Sequence, residues 1–415
     1  MKTTFFLLIF IFFFKAESQV INEHFADNIK TVLIQNIENE LLDPIINLNS
    51  NEQLLLSFDE IGTDLTNYKY SFVHCNSKWE KSDLIESDYL DGFYENYIEE
   101  YFFSFNTSVD YTNYQCIFPN ENINFLKSGF YFLIVKNEDT EEEIIKKKFV
   151  IYEDIVKVKA RSKRATYAKD IESKQEIDFE VFYSNLEIFN PSNELNILIQ
   201  KNDEWLSTKK AIKPTQINNQ SIKFDYDEEL SFNGGNEFRE FNSVNLNFYS
   251  KNIDTIYFKN KFYFVELITD EPNSNRPYFE QFDLNGKFIV KRDNSFSSKN
   301  ESEYVNVKFS LKNNNQNLNE KIFIFGQLTN WLINQNFLLK YNEKSKKFET
   351  ELLLKQGYYN YQYVTLKNNL PSTEEIEGNY YETNNEYTIY VFHKNPWSRY
   401  ERLVGVEKIT SNSLN

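Results

Sequence analysis

Strand-forming runs follow one another along this chain at short intervals, and few stretches carry a helical period. LLLSFD (Leu54 to Asp59), YKYSFVHC (Tyr68 to Cys75), YFFSFN (Tyr101 to Asn106), YQCIF (Tyr114 to Phe118), FYFLIV (Phe130 to Val135) and KKFVIY (Lys147 to Tyr152) form a first series. Each is short, rich in β-branched or aromatic residues, and bounded by turn-forming residues. A second series begins after the charged segment KVKARSKRATYAKD with EIDFEVFY, LNILIQ, SIKFDY, KFYFVELI and GKFIV. A third contains EYVNVKFSL, KIFIFG, KFETELLL, YYNYQYV and EYTIYVF. Such spacing predicts antiparallel sandwiches rather than an α/β sheet.

At 415 residues the chain exceeds one core of ordinary size. We therefore expect an all-β protein of three consecutive antiparallel β-sandwich domains, immunoglobulin-like or early-set-like in type. The expected divisions are an acidic N-terminal sandwich over 19–155, a middle sandwich over 156–295, a C-terminal early-set-like sandwich over 296–405 and a tail over 406–415. The polar run DNSFSSKNES, Asp293 to Ser302, reads as a linker. EIIKKKFV after NEDTEEE reads as a hairpin tip with a solvated change of charge.

The first eighteen residues read as a signal peptide: Lys2, an apolar run from Phe5 to Phe14, then Ala16 and Ser18 at cleavage-site spacing. Cleavage would leave Gln19 first. No later apolar run has the roughly 20 residues that span a bilayer, and no Cys lies near the cleavage site to carry a lipid. The expectation is an exported protein with no direct membrane span. Net charge is −17, and residues 19–155 alone hold 26 Asp and Glu against 9 Lys. An acid-rich chain makes nucleic acid an unfavourable partner and leaves either a solvated acidic surface or a basic partner.

Chemistry-bearing patterns are scarce. His24, His74 and His393 fall in distant segments without metal spacing, and Gly-rich phosphate loops, GxSxG and CxxC are absent. No catalytic residue, metal, cofactor or small-molecule substrate is expected. Cys75 and Cys116 form a candidate disulfide, since export reaches an oxidising compartment, with two separate buried thiols as the alternative. Among the 62 acids, Asp88, Asp91, Glu95, Glu99 and Glu100 would be first choices for a glycosidase, but no spacing predicts the required carboxylate separation.

Gly326, Asn330, Trp331, Gly357 and Tyr361 resemble the motif of the early-set sandwich that binds glycogen or starch. A second hairpin-tip aromatic and a Lys beside the tyrosine strand are missing, replaced by Asn368, Asn369 and Leu370 and by Gln362. Trp331 thus remains as an alternative sugar platform, with packing as the favoured role.

A second resemblance spans roughly 50 to 405. His74-Cys75-Asn76 with Trp79, Tyr89-Leu90-Asp91-Gly92-Phe93, Ser104-Phe105-Asn106-Thr107, Phe118-Pro119-Asn120 and Ser128-Gly129 stand in order in the first third. Asn190-Pro191, Gln200-Lys201-Asn202, Trp205 and FNGGNEFREF follow, then FGQLTNW, LLLKQGYYNYQYV, IEGN, NEYTIYVF and RYERLVG. The chain resembles the plug proteins of the type IX secretion system of Bacteroidetes. It departs from the family at Lys78, at Lys147 and Lys148, and at Asn113, where the family carries His. The resemblance implies a non-enzymatic periplasmic protein at the inner face of the outer membrane. Its implied partner is the giant outer-membrane translocon β-barrel, whose periplasmic mouth it would seal.

Two segments are candidates for the partner interface. Tyr89 to Gln115 holds ten aromatics in twenty-seven residues, interleaved with acids, and supplies Asp91, Gly92, Phe93, Glu95, Tyr97 and Glu99. Rings of this kind dominate interface cores, although the same rings are expected to fill the first sandwich's own interior. FNGGNEFREF supplies Gly234, Gly235, Glu237 and Arg239. There a structural bulge is the favoured reading, with Glu237 and Arg239 paired across a hairpin or with the partner.

Overall fold

The computed structural model describes residues 23–225, 228–312 and 321–411. The expected signal peptide and residues 412–415 of the expected tail lie outside the described residues. Within them the chain is all-β, with α-helix seen as single turns such as Glu86–Tyr89, Pro191–Glu194 and Ser298–Glu301. Most strand pairs are antiparallel. Ile45–Asn47 beside Glu143–Tyr152 and Phe262–Leu267 beside Tyr304–Lys312 are parallel.

The first sandwich follows from period-two alternation. One sheet runs His24–Phe25, Glu143–Tyr152, Gly129–Asn137, Tyr68–Cys75, Glu95–Tyr97; the other runs Ile29–Asn36, Leu54–Ile61, Tyr111–Phe118, Glu100–Phe103. Tyr68, Tyr70 and Phe72 enter a common core with Leu54, Leu56, Phe58, Tyr114 and Phe118. Gly129–Asn137 is apolar on both faces because both are covered. Tyr131, Leu133 and Val135 join that core, whereas Phe130, Phe132 and Ile134 face outward into a separate cluster with Tyr390, Phe392 and Leu403.

The sheets do not divide at 295 as the sequence reading expects. Leu195–Lys201 pairs with Glu386–His393, and Arg402–Thr410 closes that sheet, so the second sandwich takes strands from both ends of the remaining chain. Arg239–Asn242, Phe262–Leu267 and Phe288–Val290, expected in the middle domain, pair instead with strands of the third sandwich. One sandwich is therefore inserted within another. Glu386–His393 is buried almost throughout, which suits a central strand with pairing partners on both sides. The segment from 406 to Thr410 is strand rather than tail.

The expected linker at 293–302 is a clamp. Its turn Ser298–Glu301 docks on the first sandwich: Lys299 Nζ donates to Gln115 Oε1 (2.9 Å), the Phe105 amide to Asn300 O (2.8 Å) and Tyr111 OH to Ser302 O (2.8 Å). Beneath it, Lys355 of the third sandwich pairs with Asp59 of the first at 2.7 Å, their side chains 2% and 0% exposed. Tyr304 OH donates to the same Asp59 oxygen (2.6 Å), and Asn113 Nδ2 donates to the other (2.7 Å). Asn113 thus belongs to a structural tie. Burial pulls the Lys355 ammonium below its ordinary pKa, against the pull of Asp59.

A second seam joins the first and second sandwiches. Glu153 binds Arg402 through both carboxylate oxygens (3.1 and 2.6 Å) and accepts from Ser128 Oγ (2.7 Å), while the Ser77 amide donates to Glu401 (3.0 Å). His74 lies just inside the seam, its Nε2 against Ser128 O at 3.1 Å and its Nδ1 against Ser82 Oγ at 2.8 Å. The neutral ring satisfies both contacts if Nε2 carries the hydrogen. Burial lowers its pKa to about 4.

Lys355→Met or Asp59→Asn should each cost about 3–5 kcal/mol in urea unfolding, because each leaves or weakens the counterpart of a buried charge. The double variant should cost less than the sum of the two. For His74 the folded-state pKa lies below the unfolded value near 6.5. Its contribution is therefore complete above pH 6.5 and is lost as pH falls toward 4, by about 3 kcal/mol in all. Stability measured from pH 7 to pH 4 in wild type and His74→Gln should converge by that amount.

Candidate docking surface

Of the ten aromatics between Tyr89 and Gln115, three are interior and seven are at the surface. Tyr89, Tyr111 and Tyr114 are buried. Phe93, Tyr94, Tyr97, Tyr101, Phe102, Phe103 and Phe105 are exposed, Phe93 and Phe105 at 67% each. The expectation that most of these rings fill the first core is corrected, and edge position is the reason. Glu100–Phe103 is the last strand of its sheet and Glu95–Tyr97 the last of the facing sheet, so side chains there outrun the opposing layer. All four residues of Glu100–Phe103 are exposed. Tyr101 and Phe103 lie on the core side, in register with Tyr114 and Thr112, and contact each other edge-to-face at 5.6 Å.

The backbone holds this display in place. Gly92 sits at φ +109, and a Cβ there would stand 2.1 Å from Asn122 O, which itself accepts the Phe93 amide at 2.9 Å. Only glycine fits so close a crossing. Buried Asn96 reaches back to Phe93 O (2.9 Å), pinning the Phe93–Tyr94 tip from the other side. Asp91, Glu95, Glu99 and Glu100 are exposed around the rings. Lys69 offsets one of them, lying 3.5 Å from Glu95 and 2.5 Å from Glu141.

The aromatic surface extends beyond the expected segment. Phe105 and the fully exposed Phe296 line one cleft of about 590 Å³ between the first and third sandwiches. Arg292 ties that cleft together by donating to Asn106 O (3.1 Å) and to Glu301 O. Phe296 escaped sequence reading because a single ring in a polar run carries no periodic signal; only the docking of 293–302 beside Phe105 brings it to this face.

The second candidate segment is interior. Gly234 lies against Tyr380 O, where a Cβ would approach to 1.9 Å, and the Gly235 amide donates to Asn379 Oδ1 (3.1 Å). Glu237 accepts from Tyr278 OH (2.5 Å) and the Asn384 amide (3.0 Å), and burial raises its pKa. Arg239 does not pair with Glu237. Its guanidinium grips Glu377 (2.9 Å) and Asp270 (2.7 Å), and the hydroxyls of Tyr361 and Tyr363 donate to Asp270 at 2.8 Å. These residues build the crossover from the second sandwich to the third, with Gly234, Gly235 and Glu237 buried and Arg239 little exposed.

The remaining expectations are placed as follows. Cys75 and Cys116 are free thiols: Cys75 points to the outer cluster and Cys116 into the first core, on opposite faces of the sheet containing Cys75, so the candidate disulfide is corrected. Burial pushes the Cys75 thiol up to about 12. Trp331 is partly buried, edge-to-face with Phe325 (5.2 Å) and against Gly286, and is a wedge rather than an open platform. Glu176, Asp178 and Asp225 are the one acidic trio within metal-binding reach among the described residues. Lys163 Nζ already occupies its centre, at 2.9, 2.9 and 3.5 Å from the three carboxylates.

Fold and surface together define a class: a multi-sandwich β protein that presents a stiff, aromatic and acidic face. Residues 29–153 match the sequence family described as the type 9 secretion system plug protein 1st domain. Over these residues the chain belongs to the type IX secretion system plug protein family. It is also similar over nearly its whole length to a hypothetical protein from Parabacteroides merdae of known crystal structure. That match has 30% identity and a TM-score of 0.90, covering 94% of this chain and 98% of the other. No curated protein matches.

Replacing Phe93, Phe103 or Phe105 by Ala should change unfolding free energy by no more than about 0.5 kcal/mol, as expected away from a core. Tyr114→Ala, which removes the ring stacked on Phe58 at 5.2 Å, should cost about 3–5 kcal/mol. Equal losses at the two sets would contradict the surface assignment.

Proposed function

We propose that this chain is a periplasmic plug subunit that docks on the giant outer-membrane translocon barrel and seals its periplasmic opening while no cargo is engaged. Membership in the plug family supports the secretion role. The docking face is assigned to the exposed aromatic edge from Asp91 to Phe105 with Phe296, ringed by Asp91, Glu95 and Glu99. One observation carries this reading: seven exposed rings lie on a pinned edge, where a monomer has no packing reason to keep them. Work of this kind is done by shape and surface, without a catalytic step. The acidic rim fits a partner surface with basic residues, which would speed encounter and set orientation. Export through the N-terminal segment, residues 1–18, is part of the proposal. Trp331 as a sugar platform is not adopted, since its ring is packed against Phe325 and Gly286.

Asp91→Lys, Glu95→Lys and Glu99→Lys, combined in one chain, should leave the fold intact and abolish co-purification with the barrel from a membrane extract. Undiminished capture would reject the docking face. Deleting the chain should raise the permeability of the outer membrane to periplasm-sized solutes when the barrel is present without cargo.

A further inference from the structure

Lys147 and Lys148, expected on a solvated hairpin, stand instead at the junction of the three sandwiches. The outer edge of Glu143–Tyr152 is covered by His24–Phe25 at Ile145 and Lys146 and by Ile45–Asn47 from Val150 to Tyr152. Lys147 to Phe149 lie in the gap between those two short strands. A cavity of about 270 Å³ opens on this gap, near the roughly 300 Å³ at which small-molecule sites begin. The first sandwich contributes Ile45 and Lys148 to it, the second Trp205 and Leu206, the third Leu332 and Leu366.

Most of the wall is apolar, and two buried donors on it have no partner. Lys148 is 4% exposed, and its ammonium sits over Trp79 at 4.6 Å and Trp205 at 5.5 Å. No protein acceptor among the described residues reaches Lys148 Nζ, and none reaches the indole N–H of Trp331, which also lines the cavity. Lysine has three protons to donate, and two aromatic faces satisfy none of them as hydrogen bonds. Two of the other charged groups there, Lys147 and Glu23, are committed. Lys147 donates to Asn330 Oδ1 (2.9 Å), and Glu23 accepts the Lys148 amide (3.0 Å) and lies 3.9 Å from Lys147 Nζ. Burial and the neighbouring Asp43 raise the Asp203 carboxyl to about 7, which reduces its repulsion of an anion.

We propose that this junction cavity binds a small apolar monocarboxylate, its hydrocarbon part against Ile45, Leu206, Leu332 and Leu366 and its carboxylate on Lys148 Nζ. A free fatty acid and a peptide chain end with an apolar last residue share that chemistry. Because all three sandwiches contribute walls, an occupant would bind only the assembled body and so stabilise it.

The test is calorimetric titration of the full chain, followed also by tryptophan fluorescence, with sodium octanoate, N-acetyl-Leu-Phe and octan-1-ol. Saturable binding of at least one carboxylate is expected, and the one that binds identifies the source. Lys148→Met should weaken it by about tenfold or more, the worth of one charged hydrogen bond. Leu332→Trp keeps the lysine and fills the space; it should abolish binding, and it serves if the lysine variant does not fold. The proposal is overturned if neither carboxylate saturates the wild type, if the affinity survives both substitutions, or if octan-1-ol binds as tightly.

Discussion

An ammonium and a carboxylate held at 2.7 Å with almost no water contact tie two sandwiches of this protein together, and much else depends on that tie. Lys355 and Asp59 come from strands almost 300 residues apart, and each would be costly to bury alone. The pair persists because the remaining lone pairs and protons are used: Tyr304 and Asn113 donate to Asp59, and Lys355 also donates to Lys299 O at 2.5 Å. Separating the first sandwich from the third would expose every one of these groups at once. The seam therefore resists partial opening in a way that a purely apolar contact, which slides at little cost, does not.

Much of the architecture was legible because two-residue alternation is a local signal. YKYSFVHC announces a strand with an aromatic inner face, and the structure sends Tyr68, Tyr70 and Phe72 inward. Insertion of one sandwich inside another was not legible. Leu195–Lys201 and Glu386–His393 are adjacent strands separated by nearly 190 residues of chain, and nothing in either run names the other. For the same reason DNSFSSKNES looks like a linker by composition yet clamps two sandwiches. Exposure of the aromatic edge was illegible too, because a ring on an edge strand and a ring on a central strand have the same local sequence.

The blocks that carry the family resemblance concentrate at the junctions. His74 and Trp79, Ser128 and Gly129, Trp205, and the RYERLVG run all meet at the seam between the first and second sandwiches. FNGGNEFREF meets IEGN through Arg239 and Glu377 and through Gly235 and Asn379. A sandwich core tolerates many apolar solutions, provided volume and pattern are kept. A junction built from a glycine against a carbonyl or a guanidinium between two carboxylates tolerates few. Residue-specific blocks are therefore what a fixed arrangement of sandwiches would require, with no catalytic site needed to explain them.

Tyr111–Phe118 links that arrangement to the proposed docking edge. Its inner face, through Tyr114, Cys116 and Phe118, is set in the first core, and its outer face, through Tyr111, Asn113 and Gln115, is set in the seam with the third sandwich. Glu100–Phe103 hangs on the edge of this doubly anchored strand. An edge paired to a strand free on one face could bend toward a partner and lose binding energy in doing so. Here the exposed rings hang on a strand anchored to both the first and the third sandwich. Under the proposed plug role, stiffness at the point of contact determines how much of the surface attraction becomes sealing force.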